Sequence, residues 1–140
     1  MCIGNIDGGD DSVGPYIADK MKNNKKFLVI NCETNPENYT SIVKKQKPDK
    51  LMIIDAVDMN LEPGEIRIVP KEKIGVMTIS THGIPVSVLI NYLEQYIEKI
   101  ILIGIQPKKM SGKISEDIQK SANDLIEIIK KNDLEKIKKL

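Results

Sequence analysis

Phe27-Leu28-Val29-Ile30, Leu51-Met52-Ile53-Ile54 and Ile100 to Ile105 are short apolar runs rich in Ile and Val, each bounded by polar or turn residues. Runs of this kind predict strands buried on both faces, as in a parallel sheet. Glu65-Ile66-Arg67-Ile68-Val69 instead alternates polar and apolar residues behind the turn signal Pro63-Gly64, which predicts an edge strand with one wet face. Met1-Cys2-Ile3 supplies a very short first strand.

Helical spacing appears at Val13, Ile17 and Met21, at Val86, Leu89, Leu93 and Tyr96, and at Ile118, Ala122, Leu125, Ile126 and Ile129. Each set places one apolar stripe against a sheet. The order of elements predicts a three-layer α/β/α sandwich over residues 1–140 as a single domain, with a mostly parallel sheet of about five strands and one antiparallel edge strand. In the tail, Leu134, Ile137 and Leu140 fall at helical spacing among lysines, and we expect a continued or fraying helix there.

Lys and Arg total 21 against 20 Asp and Glu, a net charge of +1, and aromatic residues make up 4% with no Trp. A global field and stacking platforms for nucleic acid are therefore missing, and no nucleic-acid partner is expected. Arg67 is the sole Arg, so bidentate phosphate clamps are scarce. No apolar run approaches a bilayer span, which argues against membrane insertion. Cys2 and Cys32 do not make a disulfide framework, and with no signal-peptide pattern the expected compartment is the cytoplasm.

Ligands of an open parallel sheet sit beyond the carboxyl ends of its strands. Three polar segments occupy such places: Gly4 to Pro15, Asp55 after Leu51 to Ile54, and Thr81-His82-Gly83 ahead of the third helical pattern. The glycine-rich segment lacks both G-x-G-x-x-G and the Lys-bearing phosphate loop, and the paired Asp10 and Asp11 would repel an anion. A cation suits it better. One of the two aspartates can cap the helix that follows, since Pro15 fits a first turn, which leaves the other to face the cleft.

Asp55 follows four apolar residues, so its buried carboxylate needs a partner. Asp58, three residues on, reads as a turn residue. His82 is the only histidine, and as a loop residue it is either simply exposed or a ligand for a transition metal. Two carboxylates and an imidazole from separate loops resemble a facial set with open positions. The two cysteines read as small buried thiols, no Gly-x-Ser-x-Gly elbow occurs, and Ser80 and Thr81 have no second His to activate them.

Gly4-Asn5, Gly9-Asp10-Asp11-Ser12-Val13-Gly14-Pro15, Asn35-Pro36-Glu37-Asn38, Ile54-Asp55-Ala56-Val57-Asp58-Met59, Pro63-Gly64-Glu65-Ile66-Arg67, Ser80-Thr81-His82 and Gly104-Ile105-Gln106-Pro107 together resemble the hydrogenase maturation endopeptidases, most closely the branch serving formate-hydrogenlyase-type enzymes. The resemblance covers nearly the whole chain. It implies an endopeptidase that removes the C-terminal extension of a nickel-iron hydrogenase large subunit precursor after nickel insertion. It also implies that Asp11, Asp55 and His82 contact nickel carried by that precursor and no organic cofactor, and Asn5, Asp58 and Gly83 are expected to contact substrate. Asp11 could alternatively act as a general base through a water.

Three positions depart from the family pattern: only Met1-Cys2-Ile3 precede Gly4, Ser12 stands where Gly is usual, and Asn31-Cys32-Glu33 occupies the place of Asp-Gly-Gly. Two other functions compete with processing. A noncatalytic metal-binding or chaperone-like module would dock on the same precursor without cutting it, and a nucleotide-binding domain would need the phosphate glycines that are absent.

Overall fold

In the computed structural model, which describes residues 1–75 and 83–140, β1 (Cys2–Ile3) leads through a 3-10 turn (Gly9–Ser12) into α1 (Val13–Met21), and β2 (Asn31–Glu33) is followed by a second 3-10 turn (Pro36–Tyr39) and α2 (Thr40–Gln46). Then come β3 (Lys50–Ala56), β4 (Ile66–Val69), the short α3 (Lys71–Ile74), α4 (Val86–Leu93), β5 (Lys99–Ile105) and α5 (Glu116–Lys130). The five strands form one sheet in the order β2-β1-β3-β5-β4. All neighbours run parallel except β4, which pairs antiparallel with β5 at the edge. The architecture is the expected α/β sandwich.

Alternation along the central strands divides the apolar residues between two cores. Ile54, Ala56, Ile103 and Ile105 meet Val13, Ile17 and Met21 of α1 and Ile118, Leu125 and Ile129 of α5. Leu51, Ile53 and Leu102 face the other way, against Val43 of α2 and Leu89, Ile90 and Leu93 of α4. The β3–β5 pairing runs in unbroken register from Lys50 opposite Lys99 to Ala56 opposite Ile105. These two strands form the rigid centre from which Asp55 projects.

The second strand differs from its expected position. Pairing occurs at Asn31–Glu33 rather than along Phe27-Leu28-Val29-Ile30, and Leu28 is 61% exposed. The reason lies in its neighbour: β1 is only Cys2–Ile3, and the first bond across, from the Cys2 N–H to the Ile30 carbonyl at 2.9 Å, falls at the end of the apolar run. A run with no strand beside it has no ladder to join.

The tail also departs from expectation. Asn132 adopts φ 56°, and the Asp133 N–H donates to the Ile128 carbonyl at 2.9 Å, which ends α5 in a left-handed turn. Leu134–Lys136 forms one 3-10 turn. The chain then runs extended beside β4, with the Ile68 N–H donating to the Lys138 carbonyl and the Leu140 N–H to the Ile68 carbonyl, both at 2.9 Å. Burial of Ile137 holds this arrangement.

Gly14 lets α1 touch β1. A Cβ there would lie 2.1 Å from the Ile3 carbonyl oxygen, and neither backbone element can give way. We expect Gly14→Ala to lower stability by about 3 kcal/mol, measured as the shift of the urea midpoint; an unchanged midpoint would show that α1 can slide.

Candidate active site

The carboxyl ends of β1 and β3 lie side by side, with Cys2 paired to Ile54. The loop after β1 and Asp55 on β3 therefore open at the same edge of the sheet, and the 3-10 turn carrying Asp10 and Asp11 packs against β3. Both of these aspartates and Asp55 are buried. Sequence reasoning expected one of the pair to cap α1 and the other to face the cleft. The structure separates them differently.

Asp10 caps nothing in α1, whose N-cap Ser12 makes no side-chain capping bond. Its carboxylate instead reaches the loop between β5 and α5. The Lys108 and Lys109 N–H groups donate to Oδ2 at 2.8 and 2.9 Å, the Ser115 N–H donates to Oδ1 at 2.6 Å, and the Ser115 hydroxyl to Oδ2 at 3.0 Å. Burial alone pushes this carboxyl up, yet the bonds from Ser115, Lys109 and Lys108 outweigh it and hold the group below its ordinary value. Asp10 is thus a structural tie.

Asp11 accepts a hydrogen bond from the Asn5 N–H at 3.0 Å on Oδ2. The Asn5 side chain is itself occupied, its Oδ1 accepting from the Asp7 N–H at 2.9 Å. Asn5 therefore orients Asp11 through its backbone. Asp55 is fully buried, and among the described residues neither of its carboxylate oxygens has a well-formed hydrogen bond, the Ala56 amide being the one weak donor nearby. Burial first, and the negative charge of nearby Asp11 second, raise its carboxyl well above the usual range, while the Ala56 amide offsets this only slightly. Two buried acidic groups on adjoining elements offer oxygen donors of the kind a divalent cation takes.

His82 lies outside the described residues, and among the described residues no group of three His, Cys, Asp or Glu side chains converges on a metal position. Gly83, the residue after it, adopts φ +76°, and a Cβ there would come within 2.9 Å of Glu37 Oε1. Glu37, from the 3-10 turn after β2, thus lies against the residue that follows His82, with its Oε2 buried and without a hydrogen-bond partner among the described residues. Asp58 is exposed and sits in a turn, accepting from the Asn60 N–H at 3.1 Å and from Gln106 Nε2 at 3.1 Å. Those bonds, Gln106 first, hold its carboxyl below the ordinary value.

Gln106 belongs to the Gly104-Ile105-Gln106-Pro107 motif. It is buried just past β5, and its Oε1 accepts from the Met59 N–H at 2.6 Å and the Leu61 N–H at 3.2 Å. It fixes the loop that leaves β3 below Asp55. A polar amide directly after an apolar strand was the available signal. Ser115 had one too, since Ser before Glu116-Asp117 marks a helix start. Neither cysteine competes as a nucleophile: burial foremost raises Cys2 and pushes Cys32 up to about 12, which leaves both as thiols.

Residues 12–132 match the family model described as hydrogenase maturation protease. A putative hydrogenase maturation protease of Methanocaldococcus jannaschii is 38% identical, the match covering 97% of this chain and 90% of the relative. The hydrogenase 3 maturation protease of Escherichia coli is 40% identical over 76% of this chain and 70% of its own length. Among solved structures, the endopeptidase HycI from Escherichia coli superposes with a TM-score of 0.83 at 34% identity, covering 90% of this chain and 84% of that one. The [NiFe] hydrogenase maturation protease HycI from Thermococcus kodakarensis gives 0.82 at 33% identity, covering 93% and 87%.

Two predictions follow from the contrasting aspartates. Because the folded-state value of Asp10 is depressed, its contribution is fully present above the ordinary carboxylate value and is lost as pH falls through the lowered one. Asp10→Ala should cost about 3 kcal/mol at neutral pH, and the gap to the parent protein should shrink in melts taken at progressively lower pH below about 4. Asp55 has the opposite sign, since its raised value means that ionising it opposes folding as pH rises from the ordinary carboxylate value through the raised one. Asp55→Asn should therefore raise the melting temperature at neutral pH; a lower melting temperature would show that the carboxylate is satisfied.

Proposed function

Since the chain belongs to the hydrogenase maturation protease family and is a hydrogenase maturation endopeptidase, we propose that it removes the C-terminal extension of a nickel-iron hydrogenase large subunit precursor once nickel has been inserted, and that it reads the bound nickel directly. The observation supporting this reading is Asp55. A buried carboxylate with no well-formed hydrogen bond from the described residues, beside a second carboxylate, is costly to keep, and a cation delivered by the substrate turns that cost into binding. In this reading the metal belongs to the precursor, so the protease holds no cofactor of its own.

Asp55 and Asp11 supply oxygen donors to the precursor's nickel, and His82 is the third contact assigned from the sequence. Asn5 holds Asp11 in orientation through its N–H, and Gln106 keeps the chain beyond Asp55 in place. Rigid placement of the metal positions the adjoining peptide for attack by water. A precursor without nickel brings no cation for Asp11 and Asp55 to bind, and this disfavours engagement. The free thiols and the absence of disulfides among the described residues accord with a cytoplasmic reaction.

The test is the intact mass of a nickel-loaded cognate precursor before and after incubation, with the nickel-free precursor as control. Loss of one C-terminal peptide from the loaded form alone is expected. Asp11→Ala, Asp55→Ala and His82→Ala should each slow processing by at least about a hundredfold while keeping the fold, checked by circular dichroism. Normal processing by the three variants would remove these residues from the mechanism. Binding of the loaded precursor without any cleavage would instead support the docking-module alternative.

A further inference from the structure

Val88, Tyr92 and Tyr96 recur every four residues along α4 and the turn that ends it, and they are 51%, 37% and 52% exposed. The same helix buries Val86, Leu89, Ile90 and Leu93 against the sheet, so its outer stripe is not needed for packing. Tyr96 read as part of the buried stripe by its spacing, but α4 ends at Leu93 and turns this ring outward. The two tyrosine rings lie 5.6 Å apart.

Lys44 of α2 is fixed between them. Its Nζ donates to the Tyr92 hydroxyl at 2.6 Å and stands 5.2 and 4.9 Å from the centroids of Tyr92 and Tyr96. The hydrogen bond to Tyr92 also holds its ammonium above the ordinary lysine value. A surface lysine ordinarily loses considerable rotamer freedom on being bound. This one has already lost it, which is the property of a preorganised anchor, and tyrosines around such a charge are typical of residues that dominate interfaces.

The patch is positive, and the helices that carry it begin close together. Between Glu37 and Asp49 the sequence carries Lys44, Lys45 and Lys47 and no acidic residue, and α4 carries no charge. Glu94, at the end of α4, is engaged by Lys71 at 2.6 Å. The turns that launch α2 and α4 meet where Glu37 lies against Gly83. From there the stripe extends about 12 Å along the helix. A folded substrate needs roughly 800 Å² of contact on each partner, far more than a cleft for one peptide provides.

We propose that the stripe formed by Val88, Tyr92, Tyr96 and Lys44 is the docking surface for the folded body of the hydrogenase precursor, which presents an acidic, apolar-edged face to it. This inference rests on the processing function proposed above. It is tested by steady-state processing of nickel-loaded precursor with Lys44→Glu and with the double variant Tyr92→Ala, Tyr96→Ala. Each should raise KM about tenfold with kcat and melting temperature unchanged, and Lys44→Glu should also abolish the weakening of KM by salt.

An unchanged KM in both variants, with wild-type processing intact, would overturn the docking surface alone. So would a wild-type dimer in sedimentation that the double variant splits without changing KM, since the stripe would then join two copies of this chain. If the wild type fails to cut the precursor, the processing function falls, and sedimentation of the mixture still decides the surface. Binding weakened by Lys44→Glu would support it, and no binding by the wild type would overturn it as well.

Discussion

The loop after β1 and the loop after β5 are separated by nearly a hundred residues, and the Asp10 carboxylate joins them. Every donor it accepts from belongs to Lys108, Lys109 or Ser115, and the Asp10 N–H returns a bond to the Lys109 carbonyl at 2.9 Å. Charge-assisted bonds to a buried carboxylate are strong because the alternative, an ion without partners in a low-dielectric interior, is so unfavourable. The tie fixes the 3-10 turn that also carries Asp11, and so it fixes the position of Asp11 relative to Asp55.

Two buried residues of identical chemistry thus have opposite energetic roles. Asp10 is stabilised wherever its proton is absent, whereas Asp55, which faces Asp11, is strained by ionisation. The first makes the second tolerable: a rigid turn can hold two carboxylates near each other where a flexible loop would let them part. Stability stored at Asp10 thereby offsets part of the cost of burying Asp55 nearby.

The sheet was legible because burial on two faces leaves a plain record in Leu51 to Ile54 and Ile100 to Ile105, and alternation in Glu65 to Val69 marked the edge strand. Phe27 to Ile30 misled because apolar composition reports capacity to be buried, and pairing also needs a neighbour. The tail misled because Leu134, Ile137 and Leu140 fit a helical period, while Asn132 imposed a left-handed turn that periodicity does not register. In the site, the placement of Asp55 could be read from the strand ahead of it. The division of labour between Asp10 and Asp11 could not, since it depends on which of them points toward a loop distant in sequence.

The extended run at 137–140 gives the edge of the sheet a cover. An antiparallel edge strand such as β4 offers unpaired N–H and carbonyl groups to any chain that can align with it. Here Lys138 and Leu140 occupy those groups at Ile68, and the run carries the exposed lysines Lys138 and Lys139. Protection against strand-to-strand aggregation is thereby supplied by a few residues remote from the catalytic chemistry. Fusions or truncations at this terminus would bear on colloidal behaviour before they bear on activity.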